Sequence, residues 1–400
     1  MRSVYLDHNS TTAVDKRVLA EMMPYFTDQY GNPANIHRLG KAAREAVELA
    51  QKRIADVISA KPKEIVFTSG GTEANNLAIS GVMSLFPRPR GRQLICSNIE
   101  HLSVHYLFKK FAQRGAHVTF IPVDEYGMVN PDDVANAIGH NTAIVSIMLA
   151  NNEIGTIQPI AEIGKIVRKY DIIFHCDAIQ CLGKIPIDVN ELGIDILTLS
   201  SHKAYGPKGV GAAYIRSGVK IDPLIFGPYQ ENSYWAGTQN VPGIVGLGKA
   251  AEIAANQMIG EMEHLQHLRD LLEEKLSSLI LDIKVNGHSE YRLPNTSSMT
   301  FHGIDSEVLV LELDMKGIYL SSAAASSSHL LEPSHVLKAI GVSDVDAAST
   351  LRFSLGRENT LVDVEYVAQI LPGIVERLRT MRFSDDLDEW GEDSDLPDIF

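Results

Sequence analysis

From about residue 60 the sequence alternates short apolar, β-branched runs with segments of helical periodicity, and few folds accept that rhythm. The runs are EIVFTSG, RQLICSN, HVTFIPV, TAIVSIMLA, DIIFHCD, DILTLSS and VGAAYIR. Several are apolar at almost every position, as strands buried on both faces of a sheet must be. Between them stand SVHYLFKKFAQRG, NPDDVANAIG and IAEIGKIVRKYD, the second with capping residues at its start and a glycine at its end. This alternation predicts an α/β domain with a mostly parallel seven-stranded sheet under helices. A helical stretch from about Val245 to Leu276 follows, long enough to connect two domains. After it, the short strands SSMTFHG, GIYLSSA and TLRFSLG interleave with helices, which predicts a smaller α+β domain.

The charge balance removes several classes of function. A net charge of −14 argues against nucleic acid or an anionic membrane as the main partner. No stretch approaches the ~20 apolar residues of a membrane span, and MRSVYLDHNSTT lacks an apolar signal core. Cys96, Cys176 and Cys181 each lie in or beside an apolar run and cannot form a disulfide framework, so a reducing cytoplasm is expected. Residues 384–400 hold eight acidic residues and no Lys or Arg, more than half of the net charge. Such a block is expected to be a disordered solvating tail, although Trp390, Leu396, Ile399 and Phe400 leave a docking peptide for a protein partner open.

Ligands of open α/β sheets bind beyond the carboxyl ends of the strands, so the residues there are the candidates. EIVFT runs into Ser69-Gly70-Gly71-Thr72, a glycine-rich turn opening a helix and suited to a phosphate. RQLICSN leads to His101, which with His105 four residues on makes too few ligands for a metal site. TAIVSIMLA leads to Asn152; DIIFHC ends at Asp177, with Gln180 a turn later. The segment SSHKAYGPKG places Lys203 at the end of a buried strand between Ser200, His202 and a Gly-Pro turn. A lysine there is positioned for a Schiff base, with desolvation lowering its pKa. Beside a phosphate turn and an acidic residue it points to pyridoxal 5'-phosphate.

The chain resembles the cysteine desulfurase family of the NifS/IscS type, in the class V aminotransferase group of fold-type-I pyridoxal-phosphate enzymes. The matching runs include YLDHNSTT, FTSGGTEANNLAI, ANNEIGTIQPI, HCDAIQCLGKIPID, SSHKAYGPKGVGAAYIR, AGTQNVPGIVGLG, LEPSHVLKAIG and LRFSLGREN, and cover nearly the whole body. The resemblance implies that Lys203 is the Schiff-base lysine, Asp177 the partner of the ring nitrogen, His101 the stacking residue and Gln180 the donor to the phenolic oxygen. Gly71, Thr72, Ser200 and His202 would hold the phosphate, with Thr238 supplied by the other subunit of a homodimer. Asn152 and Arg352 would hold the α-carboxylate of a small amino-acid substrate. A large domain of residues 13–260, a small one of 1–12 and 261–383 and the tail 384–400 are expected.

Two departures qualify the resemblance. The family's persulfide-forming cysteine falls at Ser326, within Ala323-Ala324-Ala325-Ser326, and a serine cannot carry a transferable persulfide. The family's basic stretch before the Gly-Thr is here Asn232-Ser233-Tyr234-Trp235, so Tyr234 and Trp235 become candidates for a substrate pocket entered across the dimer interface, or for simple packing. The expected reaction is therefore C–S β-elimination from cysteine or a cysteine-derived substrate. A decarboxylating or aldol-type reaction, a true desulfurase with Cys replaced by Ser at 326, and an inactive scaffold are the alternatives.

Overall fold

The computed structural model describes residues 2–86, 92–227, 229–230, 234–323 and 333–388. Its strands in chain order are β1 Val4–Tyr5, β2 Ile65–Thr68, β3 Gln93–Ser97, β4 His117–Ile121, β5 Thr142–Ser146, β6 Ile173–Asp177, β7 Ile196–Ser200 and β8 Gly211–Ile215. There follow β9 Tyr229–Gln230, β10 Trp235–Ala236, β11 Ile283–Asn286, β12 Thr296–Phe301, β13 Ile318–Tyr319, β14 Ser321–Ser322 and β15 Thr350–Ser354.

All seven strands expected of the large domain form, and they make one sheet in the order β2-β8-β7-β6-β5-β3-β4. Only β8 runs against its neighbours, pairing antiparallel with both β2 and β7. It does so because the chain turns straight back after β7 instead of crossing over through a helix. Strands β2, β3, β7 and β8 are buried along their whole length, which accounts for their nearly unbroken apolar sequences. Gly211 opens β8 where a Cβ would sit 2.7 Å from the carbonyl carbon of Gly70, so its lack of a side chain lets the turn after β2 lie against the sheet.

The helix Pro131–Ala137 starts at the expected cap, with the Asn130 side chain accepting from the Asp132 amide. It stops at Ile138, one residue before the glycine that marked its end in sequence. The connecting helix is longer than expected, Val241–Leu279, or about 58 Å at 1.5 Å per residue. Its first half packs Val241, Ile244 and Leu247 into the core under the large sheet. Its second half packs Leu265, Leu268, Leu272 and Leu276 into a separate core with Val4 and Leu6. The small domain is built on the sheet β11-β12-β15-β14, with β1 pairing alongside β13; β11 was not foreseen. The last helix, Leu361–Asp388, runs past the boundary at 383 set from charge alone, and the rest of the acidic segment lies outside the described residues. Among those residues no helix is long and apolar enough to cross a membrane.

Candidate active site

β7 ends at Ser200, and one 3-10 turn, Ser201–Lys203, carries Lys203 into a cavity of about 360 Å³. Its ammonium donates to the carbonyls of Asn9 and of Ser10, the latter at 2.7 Å. Burial, helped by Arg352 and Lys184, lowers its pKa to about 7. A fraction of Lys203 is therefore a free amine at neutral pH, the form that attacks an aldehyde. Mixing cofactor-free protein with pyridoxal phosphate is expected to give a visible band whose rate of appearance rises through pH 7 and levels above it. A midpoint near the ordinary lysine value of about 10.4 would contradict this environment.

Asp177 closes β6, 4% exposed, and both its oxygens accept: Oδ1 from the Ile179 amide at 2.9 Å, Oδ2 from Asn75 Nδ2 at 2.8 Å. Asn75 is fully buried and also donates to Ser103 Oγ at 2.9 Å, while its Oδ1 accepts from Thr198 at 2.6 Å. Ser103 in turn meets His101 Nδ1 at 2.8 Å, and that nitrogen also accepts the Ser103 amide at 3.1 Å. With Nδ1 acting as acceptor, the network assigns the neutral ring's proton to Nε2. Burial keeps the imidazole below its usual pKa. Asp177 and His101 are thus held by one hydrogen-bonded chain through Asn75 and Ser103, as a flat cationic ring between an anion and an imidazole face requires.

At the other end, the helix Gly71–Ser84 opens toward the cavity with no side chain capping it. Gly71 is required there, since a Cβ would lie 2.3 Å from Ile179 Cδ1. Ser200 Oγ is buried without a hydrogen-bond partner, and His202 uses only Nδ1, 3.2 Å from Thr11 Oγ1. Burial lowers the His202 pKa to about 4, so it enters as a neutral imidazole. An orphaned hydroxyl, free helix-end amides and Thr72 are the donors a phosphate needs, and the set fits pyridoxal phosphate.

On the small-domain side, Arg352 rises from β15 into the same cavity. Its guanidinium donates to Asp7 Oδ1 at 2.8 Å, Ser10 Oγ at 2.7 Å and the Asn152 carbonyl at 3.3 Å, and Nε is left without a partner. The Asn152 side chain lines the cavity and has no hydrogen bond among the described residues. Sequence reasoning did not single out Asn9, Ser10 or Asp7. The signal was available in YLDHNSTT, where a short apolar run gives way abruptly to small polar residues.

The structure therefore brings together Gly71, Thr72, His101, Asn152, Asp177, Gln180, Ser200, His202, Lys203 and Arg352. It does not bring Thr238, Tyr234 or Trp235 to the cavity of their own chain. Thr238 is exposed in the loop after β10. Tyr234 and Trp235 pack against the apolar cluster around Val66 and Ile221, and Tyr234 donates to the Val219 carbonyl at 3.3 Å. Within one chain these aromatics are packing residues. Trp235→Ala should cost about 2 kcal/mol of stability, below the full penalty for a wholly buried tryptophan, and lower the unfolding temperature in a thermal melt. A raised KM for a bulky S-conjugate with an unchanged melt would put Trp235 in a pocket instead. Ser326 lies outside the described residues. Ala323, just before that segment, packs with Ile99, Met148 and Leu337, so its methyl group fills a core position. His105 stacks on His335 and Phe120, and the described residues hold no group of three potential metal ligands.

A family model for aminotransferase class-V matches residues 4–367. The chain is 50% identical to "Cysteine desulfurase IscS" of Methanosarcina thermophila over 95% of its own length and 94% of that protein. It is 47% identical to the protein of the same name from Dictyoglomus turgidum over 95% and 96%. Among solved structures, a NifS-like protein superposes with a TM-score of 0.88 at 39% identity, covering 94% of this chain and all of that one. A structure titled "SspA in complex with cysteine" superposes at 0.78 with 36% identity, covering 88% and 99%.

Proposed function

The chain belongs to the aminotransferase class-V family and, within it, to the cysteine desulfurases, and from that premise we propose that it cleaves the C–S bond of cysteine or a cysteine-derived amino acid by β-elimination. Sulfur is not passed to a cysteine of the enzyme. The observation that carries this reading is the placement of the thiols. Cys96, Cys176 and Cys181 are fully buried, none lines the cavity, and burial pushes each thiol well above its usual pKa. The position that would carry a reactive thiol is Ser326.

Enzymes of this family use pyridoxal 5'-phosphate, which when bound supplies a sink for the electron pair left at the substrate α-carbon. Gly71, Thr72, Ser200 and His202 hold its phosphate, and Asp177 keeps its ring nitrogen protonated. Arg352 and Asn152 grip the α-carboxylate and so fix which α-carbon bond faces the ring. Lys203, freed when the substrate amine takes its place, accepts the α-proton on Nζ. The Cβ–S bond then breaks with its electron pair on sulfur, and addition of water releases pyruvate and ammonia. Thr238, exposed on its own chain, completes the phosphate site of a second copy in a homodimer. Three buried, unpaired cysteines suit a reducing cytoplasm.

Products decide between the readings. Elimination from cysteine or an S-conjugate gives pyruvate, whereas persulfide formation leaves alanine. Mass analysis after incubation with cysteine, cysteine sulfinate and several S-conjugates should show pyruvate; alanine as the main product would overturn elimination. Identity near 50% over almost the whole chain favours one other reading, a desulfurase lacking only its thiol. Ser326→Cys tests it: strong sulfide release with a reductant supports that reading, and continued pyruvate formation supports elimination.

A further inference from the structure

Lys184 follows Gln180 by one helical turn and is buried, 8% exposed. Its ammonium reaches Gln180 Oε1 at 3.1 Å and Asn9 Oδ1 at 3.5 Å, and no carboxylate among the described residues forms an ion pair with it. A buried lysine without a counter-ion is costly to keep, so its surroundings should reveal what it does. An ammonium only donates, so the Gln180 atom beside it must be the carbonyl oxygen. That fixes the amide the other way round toward the cavity. Nε2 gives one hydrogen to the Asn9 carbonyl at 2.9 Å, and the second has no partner among the described residues. Gln180 lines the cavity and can therefore only donate into it.

We propose that Lys184 is a positioning residue for the cofactor site: it holds Gln180 as a donor toward the phenolic oxygen and stands as a second, unneutralised cation behind Lys203. The inference rests on the reading that Lys203 and Gln180 engage the cofactor. The charges around the pair come from every neighbouring element. Arg352 on β15 adds to the positive field; Asp177 at the end of β6 and Asp7 after β1 oppose it. His202 and His8 are both neutral at pH 7, their pKa values lowered to about 4 mainly by burial. Below Lys203, Arg357 and Glu261 are paired at 3.1 Å and cancel each other. The balance leaves Lys184 and Arg352 to discourage a proton on Lys203.

The two roles separate by substitution. Lys184→Arg keeps the charge, Lys184→Gln keeps a donor to Gln180 without charge, and Lys184→Met keeps neither. Cofactor-free protein of each kind is mixed with pyridoxal phosphate, and the rate of visible-band formation is followed against pH. In the Gln and Met variants the midpoint should move upward by on the order of one unit, roughly tenfold in rate at a pH below both midpoints. In the Arg variant it should stay. Cofactor affinity should fall about tenfold in the Met variant and much less in the Gln variant, which still orients Gln180. Unchanged midpoints and affinities in all three would overturn the proposal. If the Met variant does not fold, the Gln variant against the Arg variant still decides the charge role. Absence of any band in the wild type would instead defeat the reading on which the inference rests.

Discussion

Lys203→Ala is expected to give a colourless protein with no measurable turnover. The amine is the one nucleophile in the cavity able to form a Schiff base with an aldehyde: Lys184 lies behind Gln180 and outside the cavity lining. The fold should survive. Lys203 packs little apolar surface, and its ammonium serves only the two carbonyls of Asn9 and Ser10. Those carbonyls face a water-sized space once the side chain is gone, so their lost partner can be replaced by solvent. Removing a partly buried, unpaired cation also relieves its repulsion of Arg352 and Lys184, and the unfolding temperature should stay level or rise slightly. Absorbance spectra, a thermal melt and product assay together test the expectation. A coloured variant with residual turnover would mean that another amine forms the bond, and the assignment of Lys203 would fall.

How legible this site was in sequence depended on where its residues sit. Those at strand ends were readable because position and chemistry reinforce each other: Asp177 closes an apolar run, and Lys203 follows another within four residues. The seven strands of the sheet were readable for the same reason, since burial on both faces leaves continuous apolar stretches. β11, partly exposed with a lysine at its centre, carries no such signature and was missed. Asn75 was missed because a buried asparagine inside a helix looks like any polar surface residue until Thr198, Ser103 and Asp177 are seen around it. Lys184 was missed for a related reason: a lysine after a glycine reads as solvent-facing, and only the tertiary structure shows it enclosed. Tyr234 and Trp235 went the other way. Aromatic residues in place of expected basic ones suggested a pocket, but aromatic residues satisfy burial as well as recognition, and the structure gives them burial.

Asp177→Asn should leave a folded, coloured protein whose turnover falls by about 10²–10³-fold. The substitution is close to isosteric, and the hydrogen-bond network can absorb it. The new amide can keep its oxygen toward the Ile179 N–H and turn its NH₂ toward Asn75. Asn75 then rotates its own amide to present oxygen. Its two other neighbours, Thr198 and Ser103, are hydroxyls that donate or accept equally well, so neither is left unsatisfied. What disappears is the negative charge. The cavity then holds Lys203 and Arg352, with Lys184 behind, opposed by Asp7 alone. A protonated ring nitrogen in that field is unfavourable, and an unprotonated ring is a weaker sink for the α-carbon electron pair. Binding through Lys203 needs no such proton, so colour should persist while kcat drops and KM changes little. The chain offers a competing role for the same residue, since Asp177 Oδ1 caps the turn that begins at Ile179. An asparagine caps equally well. Wild-type kcat in the Asn variant would therefore reduce Asp177 to a structural cap. A large loss of kcat with an unchanged melt requires the charge.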